Sequence, residues 1–228
     1  MTDRLRVTWP DEALFRTRQG RPLRLLAVSD EPDPTLDSAE VRAALEPLDL
    51  IVGCGDLRAD YLTFVADAFH RVPLVYVRGN HDTGVAWREG LRTTLPEPLP
   101  DGRVTSEAGL RILAFNGSPV YNEPSEVQVS GPRMWLRALR GWLGGLSHRP
   151  LLVISHAPPR GLNDAEDLTH RGFPALRWLV DRLRPPLWLH GHTSLVRRGL
   201  DSRCASHGAT LLYNCTGATL VELVPPGD

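Results

Sequence analysis

The chain predicts an α/β fold in which a mixed β-sheet is arranged as two layers with helices outside. Three observations carry this. Short continuous apolar runs, LRLLAVS (23–29), LIVG (50–53) and LLVIS (151–155), have the look of strands buried on both faces. Segments of helical periodicity lie between such runs. A length of 228 residues with 42% hydrophobic content suffices for one sizeable core, so 1–228 reads as a single domain, with 1–22 as an N-terminal extension and the core over about 23–224.

Along the chain, Asp37 and Glu40 have the spacing of a capping box ahead of Val41, Ala44, Leu45 and Leu48, a helix crossing from LRLLAVS to LIVG. Leu62, Val65 and Phe69 then form a helical stripe leading into LVYV (74–77), and right-handed crossovers make these strands parallel. RILAF (111–115) and LLVIS are separated by a helix opening at Pro132, whose Trp135, Leu139, Trp142 and Leu143 share one face, expected in the core. A second Pro-initiated helix, PALRWLVDRLR (174–184), buries Leu176, Leu179, Val180 and Leu183 before LWLH (187–190). ATLLYN and TLVELV close the chain as a pair of strands, for eight or more in all.

Composition removes several classes of function. A formal net charge of -1 gives no global field to recruit nucleic acid or an anionic membrane, so charge-based recognition must be local, and the absence of a basic stripe argues against long nucleic acids. All 26 basic residues are arginine, which excludes lysine Schiff-base and general-base chemistry. Cys54, Cys204 and Cys215 have no CxxC spacing, which excludes a disulfide framework or zinc knuckle and points to an intracellular, cytoplasmic protein. No apolar run approaches the roughly 18 residues of a transmembrane helix, and the first residues lack a signal-peptide core.

The polar residues collect at strand ends. Asp30, Gly55-Asp56, Gly79-Asn80-His81-Asp82, His156 and Gly191-His192 each follow a predicted strand, and in open α/β sheets such ends converge on one crevice. Asp, Asn and His supply the oxygen and imidazole donors that hold Mn, Fe or Zn. Small residues ahead of Asp56, Asn80 and His192 let the backbone turn close to an ion.

This order of motifs, over residues 24 to 223, resembles the calcineurin-like metallophosphoesterase superfamily, and CGDLRADYL, SHAPPRG and HRGF are similar to a bacterial branch of it. The resemblance implies a two-layer β-sandwich flanked by helices, with a dinuclear metal centre in the crevice. On its pattern Asp56 would bridge both metals, Asn80, His156 and His192 would complete one site, and Asp30 would serve the other. His81 would be the leaving-group acid, oriented by Asp82, and His170 would border the substrate. Arg58 and Arg160 are further candidates for a phosphate contact, weighed against solvated surface.

Two positions depart from that pattern. Asp30-Glu31-Pro32 stands where the family has Asp-x-His, and Gly191-His192-Thr193-Ser194 where it has Gly-His-x-His. Both missing histidines belong to the Asp30 site. Glu31, Asp33 and His190 are the available substitutes, and the carboxylates tilt preference toward harder ions, Mn first, with Mg, Fe or Zn as alternatives. The expectation is one firmly held metal and a second that is weak or absent. The function expected is metal-dependent hydrolysis of a small phosphodiester or nucleotide-like molecule, with the oligomeric state left open. The alternative is a weakened module of the same fold that binds a nucleotide or protein partner without turnover.

Overall fold

Alternation of apolar strands with amphipathic helices produces two sheets that share one interior. The computed structural model describes residues 2–85, 87, 95–122, 125–193, 195 and 203–227. The first sheet has the order β1-β13-β2-β3-β4, with β1 at Asp3–Thr8, β2 at Leu23–Ser29, β3 at Leu50–Gly53, β4 at Leu74–Tyr76 and β13 at Gly217–Val224. The second has the order β11-β12-β10-β9-β6-β5, with β5 at Val104–Glu107, β6 at Leu110–Phe115, β9 at Leu151–Ser155, β10 at Leu187–His190, β11 at Cys204–His207 and β12 at Thr210–Asn214. A short parallel ribbon joins β7 (Ser118–Pro119) to β8 (Gln128–Val129).

Alternate side chains of the strands point to opposite faces, so each sheet contributes to two cores. Leu23, Leu25 and Ala27 of β2 meet Ile112 and Ala114 of β6 and Leu152 and Ile154 of β9 between the sheets. Leu26, Val28 and Ile51 face outward under α2 (Ala39–Leu45) and α3 (Ala59–Ala68), with Leu45, Leu62 and Val65 completing that layer. Leu113, Val153 and Trp188 face outward under α4 (Gly131–Gly145) and α5 (Pro174–Leu183), against Met134, Ala138, Leu176 and Leu179. Helix, sheet, sheet and helix therefore stack as four layers, the two-layer sandwich with flanking helices that the sequence predicts.

β2, β3 and β4 run parallel, as do β6, β9 and β10. Their carboxyl ends consequently open on one edge of the sandwich.

Four details differ from the sequence reading. Residues 3–17 are part of the folded body: β1 pairs in parallel with β13, and α1 (Glu12–Thr17) sets Leu14 and Phe15, with Trp9 just ahead of it, in the intersheet core. The cap of α2 is Ser38, whose hydroxyl accepts from Val41 N, because Asp33 has already capped a 3-10 turn over Pro34–Asp37. The last two strands lie in different sheets, β12 beside β10 and β13 beside β2. In α4 the small residues Ala138, Gly141 and Gly145 and the flexible Met134 face the sheet, while Trp135, Leu139 and Leu143 turn outward.

Candidate metal centre

The site residues arrive from both sheets and are tied across the gap between them. Asp30, Asp56 and His192 each follow a strand with φ of 58°, 54° and 68°, left-handed values that cost a non-glycine residue about 1–2 kcal/mol. Such strain concentrates at functional sites because the surrounding structure must over-determine it. Here it does so through backbone donors: both Asp30 oxygens accept from His192 N at 3.0 Å, and Asp56 Oδ1 accepts from His81 N at 2.8 Å. At Gly79 and Gly191 the backbone passes so close that an added Cβ would overlap Asp56 Oδ1 in the first case and Ser29 Oγ and Asp30 Oδ2 in the second.

Four potential ligand atoms converge. His156 Nε2 lies 3.3 Å from Asp56 Oδ2, 3.0 Å from Asn80 Oδ1 and 3.1 Å from His192 Nδ1. The Cys54 carbonyl accepts from His156 Nδ1 at 2.9 Å, so Nδ1 carries the hydrogen and Nε2 is the atom turned toward the other three. Asn80 is held from behind, its amide nitrogen donating to Tyr121 Oη at 2.9 Å.

The electrostatics suit a cation. Burial pushes the Asp56 carboxyl up, but His156 and the His81 backbone outweigh it and hold the group at about 2. His156 is pulled down by burial and lifted further by Asp56, to about 9. His192 is held well below its ordinary range, first by burial and then by His156, so its imidazole is neutral and keeps a lone pair. An ionised carboxylate, an amide oxygen and two imidazoles in van der Waals contact form a borderline N/O donor set, which fits a divalent transition ion.

The Asp30 side is poorer. Its carboxylate is engaged by His192 N, by Ser29 Oγ at 2.5 Å and by Thr216 Oγ1 at 3.5 Å. Asp33 Oδ1 accepts from Thr35 N and Oγ1 and its Oδ2 from Thr2 Oγ1 at 3.4 Å, His190 is fully buried with Nδ1 3.0 Å from Gly191 O, and neither lines the crevice to replace a missing histidine. Glu31 remains, on the wall of the crevice. Ser194 lies outside the described residues.

A crevice of about 400 Å³ opens over this centre, walled by Asp30, Asp56, Asn80, His81, His170 and His192 among others. His81 is exposed, with Nε2 3.9 Å from Asp56 Oδ2. His170 is fixed by Asp167, which accepts from its backbone N and faces its Nδ1 at 2.8 Å, and its ring centroid is 5.6 Å from that of His192.

Three expected roles change. Asp82 does not touch the His81 ring; its Oδ2 accepts from Gly79 N at 2.6 Å and Asp56 N at 2.9 Å, and so fixes the turn that presents Asp56 and Asn80. Arg58 forks onto Asp60 on the exposed start of α3, away from the crevice wall. Arg160 likewise bridges Asp164 and Glu166. Tyr121 and Thr216 escape a sequence reading because each lies outside the strand-end motifs and acts only through tertiary placement.

The geometry has counterparts among known proteins. No curated protein matches. One solved structure superposes with a TM-score of 0.61 at 15% identity, over 86% of this chain and 91% of its own. TT1561 of Thermus thermophilus superposes with a TM-score of 0.55 at 14% identity, over 86% and 90%. GAP50, the anchor in the inner membrane complex of Plasmodium, does so at 0.52 and 12%, over 86% and 72%. These likenesses are of fold alone. The profile described as calcineurin-like phosphoesterase matches residues 31–194, which take in every strand-end motif except Asp30, and the chain belongs to that family of metal-dependent phosphoesterases.

Proposed function

We propose that the protein hydrolyses small phosphodiesters or nucleotide-like phosphoesters, using one firmly held divalent cation, Mn by preference, in the cytoplasm. The observation that carries this is the convergence of Asp56 Oδ2, Asn80 Oδ1, His156 Nε2 and His192 Nδ1 beneath an open crevice. Those four would hold the cation; Asp30, with Glu31, would offer a second ion only a thin, water-rich seat.

A cation held there would bring positive charge to the phosphoryl oxygens and acidify a water for attack on phosphorus. The chain's own groups do the rest. The Cys54 carbonyl and Tyr121 hydroxyl keep His156 and Asn80 in place, which removes reorganisation during the reaction. His81 stands on the open side of the crevice, where its imidazolium delivers a proton to the departing alkoxide. His170, oriented by Asp167, is set to donate to a non-bridging phosphoryl oxygen. A crevice of this size favours a small substrate over a folded phosphoprotein segment.

The test compares metal-stripped protein reloaded with Mn, Mg, Zn or Fe on diesters with alkoxide and with p-nitrophenolate leaving groups, beside His81→Ala. Turnover should require metal, and His81→Ala should cost roughly 10²- to 10⁴-fold with alkoxides and much less with p-nitrophenolate, which needs no proton. Loss equal for both leaving groups would remove the acid role from His81. No turnover with any metal would leave a binding module of this fold.

A further inference from the structure

The outward face of α4 is apolar where a helix on a sheet should be polar. Trp135, Leu136, Leu139, Leu143 and Leu146 are 44%, 70%, 44%, 57% and 49% exposed, most of the large hydrophobic side chains that the described residues leave in solvent. At 100° per residue these five fall within an arc of about 100°, opposite the buried Met134, Ala138, Gly141 and Gly145. One contiguous band along a 15-residue helix differs from scattered surface leucines, which need no explanation.

The borders of the band identify what it meets. Arg133 and Arg140 run along one edge and make no ion pair among the described residues. Trp142 and Trp178 line the other, with ring centroids 5.8 Å apart, Trp178 5.7 Å from Trp135, and Arg182 over its face at 5.8 Å. From residue 127 to residue 163 the sequence has no Asp or Glu. Apolar band, tryptophan edge and unpaired arginines are the chemistry of a helix lying in the headgroup region of an anionic bilayer. A second copy of the chain fits less well. An isologous contact would bring this same acid-free face against itself, and Asp181 on neighbouring α5 is committed to His207 at 2.6 Å.

We propose that α4 is a peripheral docking face for anionic lipid surfaces. The near-zero net charge does not oppose this, because the attraction is local to one helix.

The test is co-sedimentation of the full chain with vesicles of phosphatidylcholine alone or mixed with phosphatidylglycerol. Binding should appear with the mixed vesicles and weaken with salt. Arg133→Gln and Arg140→Gln should each lower it about fivefold. Leu136→Ser with Leu143→Ser should abolish it while circular dichroism stays unchanged, since both side chains already face solvent. Sedimentation with neither vesicle, or binding that the double serine variant retains, overturns the proposal. So does a dimer that the serine variant dissolves in the absence of vesicle binding, which would assign the face to a second copy.

Discussion

Removing the Asp82 side chain separates two accounts of the GNHD turn. Asp82 is buried, and one of its oxygens accepts from the backbone amides of Gly79 and Asp56 at 2.6 and 2.9 Å. Asp82→Ala strands both donors. At about 1–3 kcal/mol for each buried unsatisfied group, the metal-free protein should lose about 2–6 kcal/mol. Asp82→Asn keeps one oxygen in place and should cost less than half of that. Because Asp56 N is one of the two donors, the alanine variant should also weaken metal binding by roughly 10- to 100-fold, as loss of an outer hydrogen-bond partner does. Urea denaturation of metal-stripped protein and calorimetric titration with Mn measure the two effects. The alternative, that Asp82 orients the His81 ring, predicts unchanged stability and affinity, with a rate loss confined to poor leaving groups. That outcome would refute the reasoning.

Three further expectations follow from particular residues. Trp9→Ala, at a side chain 1% exposed in the intersheet core, should cost about 3–5 kcal/mol by urea denaturation, whereas a dispensable extension would show no change. Gly79→Ala should impair metal binding and stability through overlap with Asp56 Oδ1, while Gly131→Ala, with open space around it, should be neutral; equal effects at the two would contradict the close approach. In the metal-free protein Asp82 is raised to about 7, chiefly by burial, and His156 to about 9, where Asp56 outweighs burial. Both bind protons more tightly folded than unfolded, whereas His192, held well below its ordinary value, does the reverse and offsets them at lower pH. Apoprotein stability should therefore fall as pH rises from about 7 to 9, where His156 dominates, and a flat or rising profile over that window by denaturant midpoint would contradict those environments.

The site is legible because its residues sit where apolar strands stop abruptly. Each of Asp30, Asp56, Asn80, His156 and His192 follows such a run, and parallel pairing brings those ends together without long-range information. Strands with a weak apolar pattern are not legible. DRLRVT of β1, VTSE of β5 and CASH of β11 are edge strands in which few positions are buried, so hydrophobic periodicity carries little signal there. In α4 periodicity locates the helix but selects the wrong face, because glycine and alanine pack closely on the sheet while the large side chains form the stronger stripe. Asp82 misleads for a different reason: adjacency to His81 in sequence suggests a shared role, but the tight turn directs its carboxylate inward to backbone amides.

The central claim is that one cation, held by Asp56, Asn80, His156 and His192, suffices for phosphoester hydrolysis. Turnover of bis(p-nitrophenyl) phosphate, followed while Mn is titrated into metal-stripped protein, tests it most directly. The account predicts a rate that saturates at one tightly bound equivalent and disappears in His156→Ala. A rate that rises only with a second tight equivalent, or survives in His156→Ala, would contradict it.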